Sequence, residues 1–198
     1  MAVHHLKTPI SKADVRKLRA GDVVFLSGTM FTARDQAHKR ALELHKKGEK
    51  LPIEMEGLAV FHCGPIVRKV GEGWQMVAAG PTTSTRMNAL QPDFIREFNV
   101  RAVIGKGGMD ERTAEAMKEH GCVYLAYTGG CAVLASKGVK RISAVQWYDL
   151  GMPEAMWVLE VEEFGPLVVS IDARGKSLYR DVQKQVEVNL PKIYEKLR

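Results

Sequence analysis

Cysteine is scarce in this chain, and its spacing excludes more than its number. The 198 residues contain three cysteines, Cys63, Cys122 and Cys131, with no CxxC pair. Neither a zinc knuckle nor a disulfide framework is built from an odd, widely spaced set. The three are expected to be reduced thiols, mostly buried as small hydrophobes. Histidine adds no metal motif, because the six are scattered with no HxH or HExxH spacing. No apolar run approaches the roughly 18–20 residues that span a bilayer. The start, MAVHHLKTPISKADVRK, lacks the apolar stretch of a secretory signal. The expectation from both is a cytoplasmic protein with no membrane partner.

Clustered positive charge is also missing. The net charge is +6, but Lys and Arg are spread along the chain. The densest run, residues 45–50, contains Glu49 and reads as a solvated helix end. A nucleic-acid surface needs grouped cations with interleaved aromatics. That arrangement is absent, so no nucleic-acid partner is expected. The excess charge suits an acidic partner surface or a small anion.

What is present is the composition of an ordinary globular domain, 45% hydrophobic and 26% charged. There are no repeats, linkers or low-complexity stretches, so residues 1–198 are expected to form a single domain. Ser11 starts a short helix, and Arg34 to Lys47 places Ala37, Ala41 and Leu44 on one helical face. Asp110 caps a further helix that Gly121 ends, and the tail from Tyr179 to Leu197 has helical spacing. Strands are expected at residues 22–28, 57–64, 101–105, 122–128, 141–149, 155–162 and 167–172, with a hairpin through GEG at 71–73. Strand–helix–strand units mixed with antiparallel hairpins imply an α/β fold with a mixed sheet.

Three strands end in glycine-bearing loops that lead into helices: LSGTMFTARD (26–35), AAGPTTSTRM (78–87) and IGKGGMD (104–110). Ligands of α/β folds gather at such strand ends. Each loop offers a cation, Arg34, Arg86 and Lys106, and two offer hydroxyls, Ser27, Thr29 and Thr32, then Thr82 to Thr85. Helix N-termini add backbone donors. Two arginines gripping carboxylates and one lysine as a point charge suit a dicarboxylate. Bland readings stand beside this one. The hydroxyls of 82–85 are also good helix caps, the arginines also make surface ion pairs, and GKGG lacks the spacing of a phosphate loop.

Taken together, LSGTMFTARDQAH, FHCGPIVRK, GPTTSTRM, GKGGM, GGCAVLA and DLGMPEAMWVLEVEEFGPLVVSID closely resemble the iron–sulfur-dependent class I fumarase and L(+)-tartrate dehydratase family, in its β subunit, which is equivalent to the C-terminal domain of single-chain members. The resemblance runs over roughly residues 6–175. It implies a swivelling three-layer β/β/α domain. It also implies a partner α subunit that carries a [4Fe-4S] cluster on its own cysteines, so that this chain binds no metal. The active site would lie between the subunits, in an assembly expected to be (αβ)2.

The reaction implied is reversible β-elimination of water from a 2-hydroxy dicarboxylate. By resemblance Arg34, Arg86 and Lys106 bind the substrate's carboxylates, and Thr82 is the candidate base that takes the C3 proton, with Lys106 or Arg86 activating it. Thr83 and Thr85 are expected to be caps, and Asp35 a cap or an ion-pair partner of an arginine. His38, one turn after Arg34, either touches substrate, orients Arg34 or is structural. Gly80, Gly105 and Gly107 are expected to allow close backbone approach. Fumarate hydratase is the first expectation and L(+)-tartrate dehydratase its rival. A non-catalytic anion-binding or assembly module is the alternative from another class.

Overall fold

The computed structural model describes residues 1–197. Its spine is a mixed seven-stranded sheet, ordered β1-β2-β3-β6-β7-β9-β8. The strands are β1 (Val3–Lys7), β2 (Val23–Thr32), β3 (Ala59–Phe61), β6 (Ala102–Gly105), β7 (Val123–Ala126), β8 (Val139–Gln146) and β9 (Met156–Ile171). Strands β1, β2, β3, β6 and β7 run parallel, while β9 is antiparallel to β2, β7 and β8. Because β9 pairs with both β2 and β7, the sheet curls back on itself. A separate hairpin, β4 (Ile66–Val70) with β5 (Gly73–Ala78), turns through the expected GEG. The α/β fold with a mixed sheet is therefore present.

Side-chain alternation splits the interior in two. Ala59, Phe61, Ala102, Ile104, Val123 and Leu125 point into a core shared with β9, including Leu159, Phe164 and Leu167. The residues between them, Val60, Val103 and Tyr124, face a second core. Helices α2 (Asp35–Lys46), α3 (Gln91–Phe98) and α4 (Glu111–His120) cover that side with Ala37, Ala41, Phe94, Ile95, Phe98, Ala114 and Met117. Burial on both faces explains why β3, β6 and β7 read as unbroken apolar runs rather than alternating ones. The caps follow the sequence. Ser11 Oγ accepts from the Asp14 amide at the start of α1 (Lys12–Val15), and Asp110 accepts from the Thr113 amide at the start of α4.

Four expectations change. Strand β1 has no counterpart among the expected strands, since VHHLK lacks an apolar alternation. The two strands expected at 155–162 and 167–172 are one strand, β9. The intervening EFGP does not end it, because the kink is absorbed by bulges against β2 between Val24 and Gly28. There Glu163 takes a left-handed φ of 48°, and its amide donates to Ser27 Oγ at 3.0 Å. The strand expected at 22–28 continues to Thr32, which removes Ser27, Thr29 and Thr32 from any loop. Thr29 instead donates to Glu160 at 3.0 Å, and the buried Thr32 hydroxyl accepts from the Trp157 amide at 3.1 Å. The fourth is the strand expected at 141–149, which is β8 at 139–146 and ends before Trp147 turns left-handed.

Helix α5 (Ala132–Lys137) follows the Gly129-Gly130 turn, and α6 (Leu178–Lys196) closes the chain. From Asp181 onward every described residue of α6 is exposed. Among the described residues no helix is long and apolar enough to cross a membrane.

Candidate active site

The segment GPTTSTRM lies where β3 and β6 end. Pro81 bridges to Cys63, and Thr83 bridges to Lys106 in parallel register. The Thr82 amide donates to the His62 carbonyl at 2.6 Å, and the Ser84 amide donates to the Lys106 carbonyl at 2.9 Å. The Lys106 amide in turn donates to the Thr82 carbonyl at 3.3 Å. Backbone pairing thus fixes Thr82 beside Lys106, although they are 24 positions apart in the sequence. A 3-10 turn, Ser84–Met87, then carries Arg86 outward.

The hydroxyls do not cap that turn. Thr83 occupies the capping position without a side-chain hydrogen bond, so the expected capping role of Thr83 is not realised. Ser84 is buried and points inward, while Thr83 and Thr85 are exposed. Thr82 is partly buried.

Arg34 stands at the start of α2 in extended conformation. Its side chain is 19% exposed, with Nε 3.2 Å from Glu154 Oε1. The guanidinium passes over Gly64, where a Cβ would come within 2.6 Å of Nη1. Gly64 follows the Cys63 that faces Pro81, so Arg34 reaches the same strand-end region as Thr82. Glu154 also accepts from the Gln36 amide at 3.0 Å, tying the GMPEA segment to the first turn of α2.

Arg86 pairs with Asp35, Nη2 to Oδ2 at 2.8 Å. Asp35 is thus an arginine partner. Lys106 is partly buried beside Gly129, and among the described residues no carboxylate lies within ion-pair reach of it. Two of the three cations are therefore half-neutralised within the chain, and the third is not. Of the three loops named from the sequence, 78–87 and 104–110 meet through their backbones, and the end of the first, at Asp35, meets 78–87 through the Asp35–Arg86 ion pair.

His38 is wholly buried behind Arg34 rather than at a surface. Its Nδ1 lies 2.9 Å from the Arg34 carbonyl, which only accepts, so that nitrogen carries the proton. Its Nε2 lies 3.1 Å from Gln91 Oε1. The same amide lies 2.7 Å from His62 Nε2. The amide atom between the two rings is Gln91 Oε1, which accepts from His62 Nε2–H, so that His62 Nδ1 accepts from the Ser84 hydroxyl at 2.9 Å. The Gln91 NH2 is buried with no hydrogen-bond partner among the described residues. Tyr124 donates to Ser84 Oγ at 2.9 Å.

Both imidazoles are neutral in this arrangement. Burial pushes His38 down to about 4, against hydrogen bonds that favour its charged form. Burial, with His38 beside it, holds His62 well below the ordinary range. Sequence reading missed His62 and Gln91, and took Ser84 for one of the loop hydroxyls rather than a buried one. His62 was hidden in the apolar run GLAVFHCG, which read as a buried strand.

The glycines serve the protein interior. A Cβ on Gly105 would run into Ser84 Oγ, and one on Gly80 would press Ala132 Cβ at 3.1 Å. Gly107 has φ +79° with Thr83 Cγ2 close by. Close approach of neighbouring side chains is what requires glycine at Gly105 and Gly80, whereas at the exposed Gly107 the left-handed backbone does.

The cysteines are not arranged for an iron–sulfur cluster. Cys63 and Cys122 sit in opposite cores, and burial raises the thiol of Cys122 to about 12 and that of Cys63 further. Among the described residues no three of His, Cys, Asp and Glu gather as a metal-holding group. This chain's residues do not fit the cluster.

The same order of blocks recurs in known proteins. A family model described as fumarase C-terminus matches residues 2–182. The chain belongs to that family. A Methanocaldococcus jannaschii protein, provisionally named L(+)-tartrate dehydratase subunit beta, is 47% identical over 95% of this chain and 93% of its own length. The L(+)-tartrate dehydratase subunit beta of Escherichia coli is 46% identical over 90% of this chain and 88% of its own. A Geobacillus stearothermophilus protein, provisionally named class I fumarate hydratase, is 41% identical over 90% of this chain, which matches 34% of that longer protein. The family member described here is a β subunit of the fumarase-like hydro-lyase kind.

Proposed function

We propose that this β subunit supplies the carboxylate-binding side of a site that reversibly hydrates fumarate to (S)-malate. An α subunit completes the site and carries the [4Fe-4S] cluster, which supplies Lewis-acid chemistry at the leaving hydroxyl. The observation that carries the reading is the pairing of Thr82 with the uncompensated Lys106, with Arg86 one turn away and Arg34 at the adjacent strand end.

On this reading Arg34 and Arg86 grip substrate carboxylates bidentately. Removal of the C3 proton places extra negative charge on the neighbouring carboxylate. Fixed cations there stabilise that state more than the ground state. Thr82 takes the proton. A threonine hydroxyl is a weak base, and the Lys106 ammonium lowers the cost of its alkoxide form. Gly80 and Gly105 hold these groups in register rather than contacting substrate. His38 acts behind Arg34. The enzyme is cytoplasmic and assembles as (αβ)2.

The names of the Methanocaldococcus and Escherichia relatives favour a second reading, dehydration of L-tartrate to oxaloacetate. The two substrates differ by one hydroxyl, a difference that a hydrogen-bonding site discriminates strongly. The test is an anaerobic assay of this chain with its reconstituted partner, offering fumarate, malate and L-tartrate separately. Turnover of fumarate and malate with little on tartrate supports the first reading. Preference for tartrate selects the second. Silence on all three, with the complex formed and the cluster intact, removes both.

A further inference from the structure

His62 holds the Thr82 segment at two points. Its carbonyl accepts from the Thr82 amide at 2.6 Å, and its ring Nδ1 is hydrogen-bonded to Ser84 Oγ at 2.9 Å. Between those two points lies the stretch that meets Lys106 through the Thr83 bridge. The Ser84 hydroxyl has one seat, over Gly105, where no Cβ fits, and the Ser84 amide donates to the Lys106 carbonyl. The other ring nitrogen of His62 is fixed by Gln91 of α3, which also fixes His38 of α2, which is bonded to the Arg34 carbonyl. An unbroken buried chain therefore links the backbone of Arg34 to the backbone of Thr82 and Lys106. None of its side chains reaches solvent, since His38, His62, Ser84 and Gln91 are each fully buried.

We propose that His62 is a positioning residue of the hydro-lyase site. Its Nδ1 end, through Ser84, sets the spacing of Thr82 and Lys106. Its Nε2 end couples that pair to Arg34 through Gln91 and His38. The inference rests on the hydro-lyase reading for its kinetic consequence, but its geometric content stands apart from it. A network of this kind matters because a misplacement of about 1 Å can cost about 100-fold in rate.

Two near-isosteric substitutions separate the ends of the ring. His62→Asn keeps an amide near the Nδ1 position, toward Ser84. His62→Gln keeps a polar atom near Nε2, toward Gln91. In the assembled enzyme His62→Gln is expected to lower kcat at least about 10-fold with KM within about 3-fold, and His62→Asn, which keeps the Ser84 contact but loses the link to Gln91, to lower kcat by a smaller factor, about 3-fold. Ser84→Ala is expected to match His62→Gln, and the double variant to be no worse than either, as for residues acting through one contact.

Amide hydrogen exchange in the full chain gives a readout free of catalysis. His62→Gln is expected to speed exchange at the Ser84 and Lys106 amides at least about 10-fold more than His62→Asn. Equal exchange and equal kcat in the two variants would overturn the proposal. So would additive effects of His62→Gln and Ser84→Ala. If the exchange contrast holds while the wild-type complex turns over no hydroxy acid, the hydro-lyase reading fails and the positioning role stands.

Discussion

Arg86 Nη2 lies 2.8 Å from Asp35 Oδ2, so the residue next to one candidate substrate-binding arginine neutralises the other. Asp35 opens α2 immediately after Arg34, and Arg86 ends the hydroxyl-rich segment. The pair therefore latches two of the three converging loops. Its side chains are 49% and 28% exposed, which keeps its contribution to stability at about 1 kcal/mol or less.

Asp35→Asn is accordingly expected to leave thermal unfolding almost unchanged while lowering kcat/KM about 10-fold, because Arg86 loses its fixed direction. Circular-dichroism melts and steady-state kinetics of the assembled enzyme check both parts. A variant with full kcat/KM would make the pair a surface contact.

Lys106 is expected to behave differently from either arginine. It has no carboxylate partner among the described residues, so an incoming anion displaces none. Lys106→Met keeps the stem and removes the charge. It should cut kcat/KM by at least about 100-fold, about 2.7 kcal/mol of transition-state stabilisation. Thr82→Val removes only the hydroxyl and is expected to lower kcat by a similar factor with little change in KM. If Thr82→Val loses less than about 3-fold, proton removal belongs to another group.

The neutral pair His38 and His62 gives the fold an acid limit. Each is depressed in the folded state, His38 from 6.5 to about 4 and His62 well below its ordinary 6.5. The unfolded chain therefore binds more protons than the folded one as pH falls below 6.5. Stability is full above that value and is lost on acidification, at about 1.4 kcal/mol per pH unit for each histidine. Asp35, beside His38, opposes the shift without cancelling it. Carboxylates such as Glu97 have ordinary values near 4.5 and add their own losses only lower. Urea titrations between pH 7 and pH 5 should show this slope, and His38→Asn should remove about half of it. A flat profile would mean that the two rings are charged when buried.

The parts of this arrangement that were legible in the sequence are those written in local chemistry. Ser11 and Asp110 announced helix starts because a short polar oxygen before an amphipathic run has one common use. The loops at 78–87 and 104–110 were legible because glycine at a strand end marks the ligand side of an α/β sheet, whereas in the first stretch Gly28 lies inside β2 and only Ala33 to Asp35 follow the strand. β9 was not, because Gly165-Pro166 reads as a break wherever the partner strand is unknown, and the bulges that absorb it belong to β2. His62, Ser84 and Gln91 were hidden for a related reason. His62 stands in an apolar run, Ser84 in a cluster of hydroxyls and Gln91 beside Pro92 and Asp93, and only the contact among β3, the 3-10 turn and α3 gives each its partner. The capping role expected for the threonines failed because the segment pairs with residue 106 before it turns, which uses its backbone donors in a sheet-like way.

The last helix separates what the fold needs from what it merely carries. Tyr179, in the first turn of α6, lies flat against Gly108, where a Cβ would meet the ring at 2.7 Å. It also meets Tyr124 edge-on with ring centroids 6.2 Å apart. Arg180 pairs with Glu111 at 2.7 Å and so ties α6 to the start of α4. Beyond Asp181, by contrast, Val182, Val186, Leu190 and Ile193 are 44–63% exposed and bury no core surface within this chain. Removing everything after Gln183 is therefore expected to cost less than about 1 kcal/mol, whereas Tyr179→Ala alone should cost about 2 kcal/mol or more through the cavity it leaves over the Lys106 loop. Denaturant titrations of the two variants test the contrast directly. If the long truncation proves the more damaging, the distal part of α6 contributes to the fold through contacts that a solvated helix does not make.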